Sequence, residues 1–189
     1  MNSKLDHLPG QCPEFRQSKV KVDNETFKFF YCDIIACITE IYGHHNLVPY
    51  LKFKPECHYI DADMTFCMYG DIYTRKWWWE VQVSEATAYH ISLLTLSQKA
   101  VEENTPGATI IPVFISTDKT LVTSFCGKKA YPVYVTIGNV PKEIRQKPTT
   151  NTYILLGYLP VTDLEHMDGN TSHQCAVNNL FHTCMCQIL

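Results

Sequence analysis

The sequence predicts an α+β protein with an α/β-type core: a three-stranded antiparallel meander covered by helices, preceded by an N-terminal helical segment. Three observations predict it. The runs 110–115, 131–137 and 153–159 are apolar, rich in β-branched and aromatic residues and bounded by turn chemistry, as strands are. The connections 116–130 and 138–152 hold no helix-period pattern long enough for a parallel crossover, so neighbouring strands run antiparallel. Helix-period apolar stripes flank this block, over 26–42 and from residue 172 onward.

Taken in order, 1–24 is polar, carries Pro9, Gly10 and Pro13, and reads as a loose lead-in. A helical and irregular segment follows over 25–82. Its best helix spans 26–42, where Phe27, Phe30, Tyr31, Ile34, Ile35, Ile38, Ile41 and Tyr42 form one stripe. Asp23 or Asn24 can cap that helix and Gly43 can end it. Over 51–73, short β-like pieces surround Pro55, Asp61 and Asp63 without an assignable pattern. Trp77, Trp78 and Trp79 point in different directions if helical, which suits either an aromatic wedge in the core or a ring exposed for base stacking. Pro112 and Pro132 lack a ladder donor and belong at strand starts. After the third strand, 162–171 is a polar connection. Ala176, Val177, Leu180, Phe181, Cys184, Met185, Ile188 and Leu189 then mark a helix suited to covering the sheet.

Composition, with 46% hydrophobic and 19% charged residues among 189, is that of a globular chain rather than a disordered one. A net charge of -3 excludes a bulk cationic coat for nucleic acid. No apolar stretch is long enough to span a bilayer and none follows Met1 as a secretory leader, so the chain reads as soluble, intracellular and not secreted. Its nine cysteines then read as reduced thiols, and the sequons at Asn24 and Asn170 as unused. His44, His45, Cys57 and His58 are too loosely spaced for structural zinc. Cys184 and Cys186, near His173, Cys175 and His182, would point to different faces of one helix, so the cluster reads as core and surface thiols rather than a metal site.

The conspicuous acid is Asp118, placed directly after the first strand, where a carboxylate is held rigidly at the rim of a sheet. Two readings fit it. As a turn aspartate it bonds the nearby backbone. As an oxygen ligand for a hard divalent ion such as magnesium it suits two-metal phosphoryl chemistry, where the ions lie roughly 3.5–4 Å apart. Lys119, Lys128, Lys129, Lys142, Arg145 and Lys147 stand nearby in sequence against Asp118 and Glu143 alone, giving either a solvated basic surface or a set of phosphate contacts.

The segments YCDIIACITEIYG (31–43), KPECHY (54–59), WWWEVQ (77–82), TPGATIIPVFISTDKT (105–120), AYPVYVTIGNVPKEIRQKP (130–148), LLGYLPV (155–161) and NLFHTCMCQIL (179–189) resemble the Plavaka-type transposases of fungal DNA transposons. The resemblance implies that 99–189 is part of an RNase H-like nuclease core, so that the fold is a partial RNase H-like one. It implies metal-dependent cleavage and strand transfer of transposon DNA ends, magnesium as cofactor, DNA as partner and the nucleus as location. Asp118 takes the place of the first catalytic acid and metal ligand. Nothing past 161 matches a further acidic motif, and Asp163, Glu165 and Asp168 have no motif to assign them, so the expectation is a truncated copy, inactive alone. Missing strands would leave a sheet edge open to self-association. The alternative is a non-catalytic DNA-binding or protein-interaction remnant. The resemblance breaks at 83–98, VSEATAYHISLLTLSQ, whose ends match the codon edges of an intron; a retained intron and a true surface insertion both fit.

Overall fold

Along residues 16–22, RQSKVKV, every second position from Ser18 onward is buried or half-buried, and along residues 25–31, ETFKFFY, the same holds for Phe27, Phe29 and Tyr31; each stretch forms a strand. The structure is a computed structural model describing residues 13–22, 25–83, 109–123, 129–162 and 170–189. The described strands are β1 (Arg16–Val22), β2 (Glu25–Tyr31), β3 (His58–Tyr59), β4 (Cys67–Met68), β5 (Val113–Thr117), β6 (Thr120–Leu121), β7 (Lys129–Ala130), β8 (Pro132–Ile137) and β9 (Ile154–Tyr158). The described helices are α1 (Ile34–Gly43), α2 (Lys76–Val83), α3 (Lys142–Arg145) and α4 (Asn170–Ile188). The chain divides into two compact units, one built from Met1–His44, Phe114–Thr136 and Tyr153–Leu189, the other from His45–Val113 and Ile137–Thr152.

The first unit carries a five-stranded sheet in the order β1-β2-β9-β8-β5. The three predicted strands are hydrogen-bonded neighbours in it. β8 and β9 pair antiparallel, Pro132 opposite Tyr158 and Val135 opposite Ile154, with an irregularity between Val133 and Tyr134. The prolines sit where a missing donor costs nothing: Pro132 opens β8 and Pro112 immediately precedes β5. β8 is buried at every position but Tyr134, whereas β5 is half-exposed.

The N-terminal region corrects the sequence reading. The helix expected over 26–42 is a strand followed by a shorter helix, and the lead-in expected over 1–24 contains β1. Phe27, Phe29 and Tyr31 alternate toward the core with Phe29 fully buried, a period of two that competes with the helical spacing of the same aromatics. β1 supplies the partner that decides the competition: it pairs with β2 along its whole length, from Arg16 opposite Tyr31 to Val22 opposite Glu25. The helix starts only after Asp33, whose carboxylate accepts from the Ala36 amide at 3.0 Å as an N-cap. Asp23 and Asn24, the expected caps, lie outside the described residues.

α4 covers the sheet as predicted. Ala176, Leu180, Cys184 and Ile188 recur every fourth residue and are buried, and the last three join Val20, Phe29, Val133, Val135 and Leu156 in one core. The Ser18 hydroxyl donates to Gln187 Oε1 at 2.8 Å at the helix end.

The second unit is held by polar anchors. Asn139, fully buried, donates through Nδ2 to the carbonyls of Lys52 and Ile110, both at 2.9 Å, while its own carbonyl accepts from the Lys52 amide at 2.8 Å. Trp78 of α2 is fully buried and Trp77 is 46% exposed, so adjacent indoles do point apart. β3 and β4 make a hairpin whose end is fixed by Asp61: its carboxylate accepts from the Thr65 amide and hydroxyl and from the Phe66 amide. Those bonds, the Thr65 hydroxyl first, hold the Asp61 carboxyl down at about 2. The extra segment over 83–98 lies, beyond Val83, outside the described residues.

Candidate functional site

Asp118 stands one residue past β5, exposed, on the short link to β6. β6 pairs antiparallel with β7, Thr120 opposite Ala130 and Leu121 opposite Lys129. The Thr120 hydroxyl reaches back to the Asp118 carbonyl at 3.5 Å. This pairing brings exposed Lys129 onto the same small ribbon that Asp118 leads into.

Lys119, next in the chain, lines a shallow groove of about 160 Å³ between the outer ends of the sheet and α4. Leu159, Pro160, Val177, Leu180 and Phe181 make its apolar walls, with Tyr131 and Thr162. The Tyr131 and Phe181 rings stack at 6.0 Å and 25°. The groove was not legible in the sequence, because its lining comes from four separated segments.

The other basic residues divide. Lys142 and Lys147 are exposed, in and just after α3 of the second unit. Arg145 is not a surface cation: its side chain is 10% exposed, 3.4 Å from Asp71 Oδ1, and it donates to the carbonyls of Ile137 and Val140 at 3.4 Å. Asp71 in turn accepts from the Ile72 amide at 2.7 Å and the Lys142 amide at 2.5 Å. The sequence reading grouped Arg145 with the phosphate-contacting cations; the structure places it in an internal clamp. Lys128, Asp163, Glu165 and Asp168 lie outside the described residues.

A two-metal centre needs several oxygen donors converging on adjacent ions. Among the described residues no group of three His, Cys, Asp or Glu side chains converges, so Asp118 is suited to an oxygen-loving cation only as one donor of a larger set. His58 is held by a carboxylate rather than a thiol: Glu56 bonds its Nε2 at 3.0 Å and Lys52 Nζ at 2.7 Å, and Lys52 pulls the Glu56 carboxyl below its ordinary range. On α4, burial pushes the Cys184 thiol up to about 11, away from the thiolate that a metal requires, while Cys186 faces solvent.

No described helix is long and apolar enough to cross a membrane. No curated protein and no solved structure matches the chain. One family does: the Plavaka transposase family matches residues 1–189, the whole chain. That family is one of transposable elements, which suggests a transposase-like function, implies DNA as the partner and suggests a possible divalent metal. The strand runs, the acid after β5 and the buried Asn139 therefore lie within the family's own span, and the chain belongs to the Plavaka transposase family.

Proposed function

We propose that the chain is part of a metal-dependent DNA transposase, carrying the opening strands of an RNase H-like core and its first acid, Asp118. The observation that carries this reading is the placement of an exposed carboxylate one residue beyond the first strand of an antiparallel meander, within a chain matched throughout by a transposase family. A bound divalent ion, magnesium by the hardness of its oxygen ligands, would supply the activated oxygen and leaving-group stabilisation of DNA cleavage. Asp118 would hold it in part; the remaining donors come from residues beyond those described or from a longer protein. On the same reading the chain works beside its substrate, in a fungal nucleus.

DNA contact falls to Lys129, Lys142 and Lys147, exposed cations free to neutralise backbone phosphates. Because Lys142 and Lys147 belong to a different unit from Asp118, a second reading, a binding remnant without catalysis, uses the same lysines.

Fluorescence anisotropy with labelled duplex DNA, run with and without magnesium beside a cleavage assay, separates the two. The transposase reading expects salt-sensitive binding that weakens roughly threefold to tenfold when the three lysines become glutamate, and magnesium-dependent cleavage by the chain itself or by a longer form that completes the site. Asp118→Asn then abolishes cleavage and leaves binding intact. Cleavage-silent binding in every longer form supports the remnant, and absence of DNA binding at low salt removes both.

A further inference from the structure

The β3–β4 hairpin ends in a loop that presents apolar side chains outward on a fixed frame. Ile60, Met64 and Phe66 are 73%, 68% and 68% exposed. The frame beneath them is well bonded: the Ile60 amide donates to the Phe66 carbonyl at 3.0 Å, the Met64 amide to the Asp61 carbonyl at 3.2 Å, and Asp61 gathers Thr65 and Phe66. Met64 also holds a left-handed backbone, φ 56°, which a side-chain-bearing residue adopts at some cost. Three large apolar groups held rigidly in water form a contact surface whose ordering entropy is already met before a partner arrives.

Charge selects the partner. Asp61 and Asp63 lie in the same loop, so the tip is negative and apolar, which disfavours DNA and anionic lipid alike. It fits a protein cleft with apolar walls and a cation at the rim. The chain itself carries such a cleft: the groove of about 160 Å³ walled by Leu159, Pro160, Val177, Leu180 and Phe181, with Lys119 on its lining. We propose that the 60–66 loop of one copy docks into this groove of a second copy, Phe66 against Leu180 and Phe181, with Asp63 toward Lys119. The contact joins unlike surfaces, so a pair of copies keeps one loop and one groove unfilled, and copies add successively unless the rotation closes a ring.

Sedimentation velocity of the full chain over a wide concentration range tests this. The expected result is concentration-dependent association beyond a dimer, weakened roughly tenfold or more by Phe66→Ser. Asp63→Lys and Lys119→Glu each weaken it, and the two together restore it, a recovery that a folding defect could not produce. Because Phe66 and Asp63 are exposed, an unchanged circular dichroism spectrum and melting temperature accompany their variants. A chain that stays monomeric throughout, or association indifferent to Phe66→Ser, overturns the proposal. So does a monomeric chain whose duplex DNA binding drops on Phe66→Ser, because the loop's occupant is then DNA.

Discussion

Gly157 sits where β2 meets β9, in the register Tyr31 opposite Gly157 and Phe30 opposite Tyr158. A Cβ built there would lie 2.6 Å from the Phe30 carbonyl oxygen and 3.1 Å from Tyr31 Cβ. Backbone cannot give way as a flexible side chain can, so Gly157→Ala forces the strands apart. The expected loss is about 1–3 kcal/mol, seen as a melting temperature lower by several degrees with Lys129, Lys142 and Lys147 untouched. The glycine in LLGYLPV, inside the strand predicted over 153–159, is therefore a packing requirement, and its cause, β2 lying alongside, was not visible in the sequence. Asn139 teaches the same lesson: it stands in a stretch that reads as a turn after a strand, yet it is a buried tie among three segments distant in sequence.

Among the elements, α3 is only a turn of helix, and what holds it is the Asp71–Arg145 clamp. Both side chains are nearly buried, 7% and 10% exposed, and Asp71 also accepts from the Lys142 amide at the helix start. Arg145→Met leaves an uncompensated buried carboxylate and is expected to cost about 3–5 kcal/mol in urea unfolding. Adding Asp71→Asn to that variant should recover part of the loss, because the amide still accepts hydrogen bonds and carries no charge. The elements most legible in the sequence were those whose period had no competitor. β8, β9 and α4 carry unmixed strand or helix patterns and sit where they were read. Residues 25–31 satisfied both periods at once, and only the pairing with β1 settled them. Residues 51–73 resisted assignment because their order comes from Asp61, Asp71 and Asn139 rather than from apolar periodicity.

At the level of the whole molecule, the family and the antiparallel strands were legible, and Asp118 stands where it was read, directly after a strand. A carboxylate after a strand advertises itself in sequence; a groove assembled from residues 119, 131, 159–162 and 177–181 does not. Local charge misled at Arg145, since counting cations along the chain cannot tell which of them an internal acid has taken. One further consequence lies in α4, whose helical turn places Cys184 in the core, its thiol pushed up to about 11, and Cys186 in solvent. Two thiols separated by one residue thus keep different clocks. Under brief alkylation of the native protein near neutral pH, Cys186 should be modified quickly and Cys184 only when the helix lifts from the sheet. The ratio of the two adducts, read by mass spectrometry on a single peptide, becomes a gauge of how often the first unit opens, with its own internal standard. Equal labelling of both would mean that α4 does not stay seated on the sheet.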